Sequence, residues 1–266
     1  MDLALKLIWL SDLHFLATGN VLGHDPRLRL EAAISHISAC YPEAAACIIT
    51  GDLVESAEPE HYEALQTQLS NLPGQLLPLT GNHDDRDLLR QVFSLPNVAM
   101  AEFVQYRVDF PRLSVVALDT LVSGQGYGFL CAQRLEWLQQ TLDDCRDGPL
   151  LLAMHHPPMK LGLPILDEDN LRNGQELLEL LKGRNNIQHL LLGHVHRPVA
   201  GLTAGIPFKT SKSILYQAPP AVPAWDWESF SPAPEAPAYT VIEVTETGVT
   251  LQEMCFCPYE LGIVAQ

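Results

Sequence analysis

Six apolar runs punctuate the first three quarters of the chain: LKLIWLSD, AACIITGD, QLLPLTGN, LSVVALDT, PLLLAMHH and IQHLLLGH. Helix-patterned stretches near 27–40, 60–72, 86–93, 132–145 and 173–181 lie between them. Short strand-like runs alternating with amphipathic helices predict an α/β domain, and this pattern constrains the fold more than any other feature. Leu28, Leu30, Ala33, Ile34 and Ile37 are spaced for one apolar helix face, as are Leu135, Leu138 and Leu142, so these residues are expected in the core.

The ends of these runs carry the chemistry. Asp12 with His14, Asp52, Asn82 with His83, His155 with His156, and His194 with His196 each follow an apolar stretch. In open α/β sheets the carboxyl ends of the strands face one crevice, so residues far apart in sequence are expected to converge there. Each motif alone is weak: D-x-H, TGD, TGN, HHPP and GHVH all have ordinary readings as turns or strand ends. The ordered set of five is much harder to ascribe to turn chemistry.

Up to seven or eight oxygen and nitrogen donors exceed what one catalytic zinc takes, which favours two cations. Two close cations need a shared carboxylate to offset their repulsion, and Asp52 is the candidate bridge. Mixed carboxylate, amide and imidazole donors without thiolates favour Fe, Mn, Zn or Co and do not choose among them.

Composition narrows the partners. Lys plus Arg number 16 against 32 for Asp plus Glu, a formal charge of −16, which disfavours a nucleic-acid polymer or an anionic membrane surface as partner. A small anionic substrate is compatible with that charge when metal cations supply the local positive field. The start MDLALKLIWLSDLH has an acidic Asp2, a late Lys6 and no small-residue cleavage site, so no signal peptide is expected. No run approaches the roughly 18 apolar residues of a membrane span. The cysteines Cys40, Cys47, Cys131, Cys145, Cys255 and Cys257 show no framework spacing, and Cys255 and Cys257 read as two residues on one side of a strand. A soluble, cytoplasmic protein is expected.

After His196 the texture changes to shorter β-like pieces, PFKTSKSILYQ and AYTVIEVTETGVTLQEM, with Thr247 and Gly248 marking a hairpin turn. Between them, residues 218–238 are rich in proline and carry Trp225, Trp227 and Phe230, which predicts a loop or lid within one domain spanning 1–266. Trp225 and Trp227 are candidate substrate contacts. The competing expectation is that they pack on a second sheet or at a contact between subunits, and the choice between monomer and homo-oligomer is left open. No Walker-type glycine loop, G-x-S-x-G elbow or H-x-H-x-D-H motif is present.

With the motifs D-x-H, GD, GNHD, H and GH-x-H in this order, the chain resembles the calcineurin-like metallophosphoesterase superfamily. The resemblance runs from WLSDLH through TGDLVESAEPEHYEAL, TGNHDDR, VVALDT and AMHHPP to LLGHVH. It is close to the class III cyclic-nucleotide phosphodiesterases and the bacterial glycerophosphodiesterases. It implies a four-layer α/β/β/α sandwich, which on the sequence would have a first sheet up to His196 and further strands after it. It also implies one metal held by Asp12, His14, Asp52 and His196, and a second held by Asp52, Asn82, His155 and His194, with His156 beside the site.

By the same resemblance His83 is an unligated catalytic residue that binds the phosphoryl oxygen or protonates the leaving alkoxide. The implied reaction is hydrolysis of a small phosphodiester, a cyclic nucleotide or a glycerophosphodiester, by a hydroxide held between the cations. A phosphomonoesterase or nuclease on the same centre is the alternative, followed by a non-catalytic interaction module. Asp84 is expected to orient a histidine or cap the next helix, with the cap preferred. Asp119 reads as a turn residue. His36, His61 and His189 read as surface or packing histidines. His24 and Asp25, in the loop after the first motif, are candidate substrate contacts.

Overall fold

The computed structural model describes residues 4–96, 100–145, 148–163 and 165–263. Among the described residues are five helices and eleven strands, alternating in the first three quarters: β1 (Leu5–Leu10), α1 (Pro26–Cys40), β2 (Ala46–Ile49), α2 (Pro59–Leu69), β3 (Gln75–Pro78), α3 (Arg86–Val92), β4 (Tyr106–Phe110), β5 (Leu113–Leu118), α4 (Ala132–Asp144), β6 (Leu150–Met154), α5 (Gly174–Leu181), β7 (Ile187–Leu192), β8 (Ala200–Thr203), β9 (Ile206–Thr210), β10 (Ala238–Thr245) and β11 (Gly248–Cys255). All six apolar runs become strands and all five helical stretches become helices. The hairpin at Thr247 and Gly248 forms as expected, with Thr245 opposite Gly248.

The strands make two sheets, ordered β11-β10-β1-β2-β3 and β4-β5-β6-β7-β9-β8. They do not divide at His196. The chain leaves the first sheet after β3 and starts the second with the antiparallel pair β4 and β5, while the late hairpin returns to lie antiparallel on β1. PFKTSKSILYQ is a strand only as far as Thr210. Beyond it the chain crosses the strand ends of the first sheet, where the Ile214 amide donates to Ser11 O at 3.1 Å and the Ser213 hydroxyl donates to Asp12 O at 2.7 Å.

The two-residue period of the second sheet explains the layering. Val115, Ala117, Leu151, Ala153 and Leu191 face inward and join one core with Leu7, Trp9, Ile48 and Leu77 of the first sheet. Their alternates Val116, Leu118, Leu152, Met154, Leu190 and Leu192 pack on Leu135, Leu138 and Leu142 of α4 and Leu177 and Leu181 of α5. The far face of the first sheet is covered by Leu30, Ala33, Ile34 and Ile37 of α1 and by Tyr62, Leu65 and Leu69 of α2. The result is the four-layer α/β/β/α sandwich. Leu28 departs from its expected place and is 47% exposed, because at 100° per residue it lies about 200° from Leu30 and the two cannot share a face.

Among the described residues no helix is long and apolar enough to cross a membrane. The cysteines are free thiols. Cys255 ends β11 and is exposed, with Cys257 just beyond the strand.

Candidate metal centre and active site

The parallel strands β1, β2, β3, β6 and β7 deliver Asp12, Asp52, Asn82, His155 and His194 from their carboxyl ends to one place, with His14 and His196 two residues further on. Seven non-glycine residues have positive φ among those described, and five of them are Asp12, His14, Asp52, His194 and His196. Such backbone costs about 1–3 kcal/mol per residue and persists where the surrounding structure over-determines it. These five residues stand two to four positions beyond the ends of β1, β2 and β7, where the chain turns. Glycines make the close approach workable. A Cβ on Gly81 would lie 2.2 Å from Asp52 Oδ1, and one on Gly193 would lie 2.6 Å from Ser11 Oγ and Thr50 O.

Two groups of acceptors result. In the first, Asp12, His14, Asp52 and His196 bring ligand atoms within 4.8 Å of one another, and all four are buried. His14 Nδ1 donates to Glu55 Oε2 at 2.7 Å and His196 Nδ1 donates to Tyr216 O at 3.1 Å. Both Nε2 lone pairs are thereby turned toward each other at 2.9 Å, a geometry that requires a shared proton or a cation. Asp12 Oδ2 is buried without a hydrogen-bond partner beside them.

The second group gathers around His155. Its Nδ1 donates to Thr50 O at 2.8 Å, so Nε2 faces Asn82 Oδ1 at 3.0 Å and His194 Nδ1 at 3.3 Å. Asn82 Oδ1 also meets His194 Nδ1 at 3.0 Å. Asp52 Oδ2 joins the two groups, 3.5 Å from His14 Nε2 and 3.4 Å from His155 Nε2. Convergence of acceptors with few donors is a fit for cations, and the nitrogen and oxygen donor set suits borderline and hard metals.

The electrostatics agree with that fit. Burial alone would lower His155, but the Asp52 and Asp12 carboxylates and the bond to Thr50 O together outweigh it and the imidazole is raised to about 9. His14 is likewise raised against its burial by Glu55 and Asp52. Burial dominates at His194, lowered to about 3 with help from the charge on His155, and at His196, lowered to about 4. Burial would raise Asp52, but His155, His83 and His14 together outweigh it and hold the carboxylate well below its usual range.

His83 stands apart from both groups. Its amide donates to Asp52 Oδ1 at 3.0 Å and its Nδ1 donates to Glu55 O at 2.7 Å, which leaves Nε2 as the free ring nitrogen of a residue that lines the cavity. His156 has both nitrogens engaged, Nδ1 by Thr120 Oγ1 at 2.7 Å and Nε2 donating to Gly126 O at 3.0 Å. Burial pushes its pKa well below the usual histidine value.

Over the site lies a cavity of about 230 Å³ whose lining includes His14, Asn82, His83 and His194 below and Tyr216, Ala218, Trp227 and Phe230 above. Trp227 reaches the cavity, whereas Trp225 does not line it. The Trp225 indole donates to Pro220 O at 3.0 Å, and its ring packs 5.3 Å from Phe230 and 6.2 Å from Trp227. Phe230 and Trp225 seat the loop on Leu163, Leu166 and Val195.

Neither His24 nor Asp25 lines the cavity. Asp25 caps α1, accepting from the amides of Arg27 and Leu28 and binding the Arg27 guanidinium. His24 is buried between the rings of Tyr216 and Tyr259, and its pKa is lowered to about 4 by burial and by Arg29.

Two further residues, Asp84 and Asp119, depart from the expectations. The cap of α3 is Asp85, whose side chain accepts from the Asp87 and Leu88 amides. Asp84 instead turns inward, accepting from the Gly81 amide at 2.8 Å, the Leu53 amide at 3.2 Å and the Tyr62 hydroxyl at 3.0 Å. The chain has helical geometry only from Arg86 onward, so the residue just before it is the cap, and Asp84 is free to tie the β2 and β3 turns together. Asp119 is more than a turn residue: fully buried, it binds Arg86 at 2.6 and 2.8 Å and accepts from the Val104 amide at 2.8 Å. It thereby anchors the segment after His83 to the second sheet.

Sequence reasoning missed Glu55 and Tyr216. A carboxylate three residues after Asp52 in GDLVE was the available signal for Glu55; Tyr216 lies in a segment read as strand and carries none. His36 and His61 hold packing roles, His36 against the Tyr239 hydroxyl at 2.8 Å and His61 accepting from the Ala17 amide at 3.2 Å.

A sequence profile described as calcineurin-like phosphoesterase matches residues 5–198, and the chain belongs to that family. A protein named probable cyclic nucleotide phosphodiesterase from Rhodopseudomonas palustris is 34% identical over 260 residues, covering 95% of this chain and 93% of its own. A probable glycerophosphodiester phosphodiesterase from Arcobacter nitrofigilis is 29% identical over 244 residues, covering 83% and 88%. In fold the chain is similar to a dimetal phosphatase from Danio rerio, with a TM-score of 0.74 at 13% identity over 96% of this chain and 97% of that one. The protein is a hydrolytic enzyme of the metallophosphoesterase type.

Proposed function

We propose that the protein is a binuclear metal-dependent phosphodiesterase of small substrates, a 3′,5′-cyclic nucleotide or a glycerophosphodiester. The observation that carries this reading is the pair of buried acceptor groups meeting at Asp52 Oδ2. Asp12, His14, Asp52 and His196 would hold one cation, and Asp52, Asn82, His155 and His194 the other. When bound, the pair supplies Lewis-acid activation of water and neutralises phosphoryl charge.

The chain's own residues do the rest. Asp52 keeps the two groups in register, and Glu55 fixes the His14 ring so that Nε2 faces inward. His83, fixed at Nδ1 by Glu55 O, offers Nε2 to the phosphoryl oxygen or to the departing alkoxide. Proton donation of this kind is worth roughly 10²–10⁴-fold. Tyr216, Phe230 and Trp227 give the substituent an apolar, aromatic wall, and the loop 218–238 acts as a cover that shapes the pocket. The two relatives named above support both substrate classes. The absence of Lys and Arg from the cavity lining among the described residues disfavours a polynucleotide.

The test is a substrate panel on metal-reconstituted protein: cyclic AMP, cyclic GMP, glycerophosphocholine, glycerophosphoethanolamine and a phosphomonoester. Metal-dependent turnover of at least one diester in preference to the monoester is expected. Turnover of the monoester alone would overturn the reading.

A further inference from the structure

Asp169 lies in the wall of the same cavity, just after the short 3₁₀ turn Leu166–Glu168. Its carboxylate packs on Gly126, where an added Cβ would sit 3.0 Å from Oδ2. Gly126 O in turn accepts from His156, whose ring lies 4.8 Å from that of His194. The neighbouring Asp167 is occupied, accepting from the amides of Leu161, Gly162 and Leu163 and from Asn170 Nδ2. Asp169 is different. It is half-buried, with no ion pair or side-chain hydrogen bond, and no Lys or Arg lines the cavity with it among the described residues. A carboxylate left free in the wall of a phosphoester site adds a local negative field to a chain that already carries −16.

We propose that Asp169 sorts substrates by charge, admitting singly charged phosphodiesters, opposing doubly charged phosphomonoesters, and hastening release of the monoester product. This rests on the phosphodiesterase reading above. Hydrolysis of a diester adds water across one P–O bond: the alkoxide takes a proton, departing as an alcohol from an acyclic diester or staying attached as a ring-opened hydroxyl from a cyclic one, and the phosphoryl group becomes a monoester whose second ionisation lies near pH 6. The substrate therefore carries one negative charge and the product close to two at neutral pH. A fixed carboxylate in a partly solvated cavity repels the second charge as well as the first, so it weakens monoester binding more than diester binding. With cations bound, both ligands would be held strongly, and the Asp169 counter-charge in the wall offsets the product's advantage.

The full chain, reconstituted with metal, is compared as wild type, Asp169→Asn and Asp169→Glu on bis(p-nitrophenyl) phosphate and p-nitrophenyl phosphate, with inorganic phosphate as inhibitor. For Asp169→Asn the ratio of monoester to diester kcat/KM rises roughly tenfold, chiefly through the monoester KM, and the Ki of phosphate falls by a similar factor. Asp169→Glu keeps the wild-type ratio and Ki. An unchanged ratio and Ki in Asp169→Asn overturns the charge filter, as does an Asp169→Glu variant that moves with it, since shape rather than charge would then be at work. A wild type without diester turnover overturns the phosphodiesterase reading as well, so the two failures are distinguishable.

Discussion

On one side of the cavity Asp12, His14, Asp52, Asn82, His155, His194 and His196 come from the ends of five strands in two sheets. On the other, Ala218, Trp227 and Phe230 come from a single proline-rich loop. The strand-end side chains are buried, except for half-buried Asn82, and five of the seven stand on positive-φ backbone. Trp227 is 61% exposed, and the loop is held by aromatic packing on Leu163, Leu166 and Val195. Geometry that must be exact to a few tenths of an ångström is built from sheets, and geometry that need only offer a surface is built from a loop. Damage to the first wall should abolish the chemistry, and damage to the second should change what is chosen.

The sharpest break in that comparison is Asp52→Ala. The shared oxygen disappears from both acceptor groups, so the purified variant is expected to lose both metals and to retain less than about a hundredth of wild-type activity. Elemental analysis decides: near-stoichiometric retention of two metals would rule out Asp52 as the bridge.

Metal uptake should also follow pH. With its pKa raised to about 9, His155 carries a proton in the metal-free protein at neutral pH, and a cation must displace it. His194, lowered to about 3, and His196, lowered to about 4, are already neutral above pH 6 and add no dependence there. Apparent affinity at the Asn82, His155 and His194 group therefore rises by up to about tenfold per pH unit from 6.5 toward 9 and then levels off. Titration in a competing chelator at several pH values measures the slope; a flat profile would mean that His155 is neutral without metal.

The same contrast governs what could be read from sequence. The strands and their terminal residues were legible because an unbroken apolar run and a ligand-type side chain fall within eight consecutive residues. Asp84 and Asp119 were misread because their roles are set across space: Asp84 by amides and a hydroxyl from three separate segments, Asp119 by Arg86 from another layer. The sheet division was misplaced because β10 pairs with β1, more than 200 residues away, and no local pattern reports such a partner. Tyr216 was missed for the same reason, since a strand-like composition there was overridden by hydrogen bonds to Ser11 and Asp12.

Glu55 tests whether the buried wall needs its supporting carboxylate. Glu55→Gln weakens the preference for the Nδ1–H form of His14 and is expected to cost about 10–100-fold in metal affinity at the Asp12, His14 and His196 group, read by chelator competition. The affinity at the other group should stay within a few-fold. Equal losses at both would show that Glu55 supports the whole loop rather than one ring.

His83→Ala separates proton donation from metal holding. Both metals should remain, with turnover falling at least about tenfold on diesters with alkoxide leaving groups and less on p-nitrophenyl esters, which depart without a proton. Equal losses on both would assign His83 to phosphoryl binding instead, and loss of metal would make it a ligand.

The smallest expected effect belongs to the loop, and it tests the comparison most directly. Trp227 lines the cavity and Trp225 sits behind it, so the two substitutions should part company. Stacking of a base on an aromatic ring is worth about 1–3 kcal/mol, and with Trp227 largely open to solvent the lower end of that range applies. Trp227→Ala should raise KM for cyclic AMP by about fivefold while leaving kcat and the bound metals unchanged, and it should barely affect glycerophosphoglycerol, a diester with neither a ring nor a cation to set against the indole. Trp225→Ala removes the ring that packs on Phe230 and the indole bond to Pro220 O, so its effect should be a lower melting temperature rather than a changed preference. If Trp227→Ala instead lowered kcat equally for both substrates, the loop would be acting on the chemistry. The division between a wall that reacts and a wall that selects would then have to be abandoned.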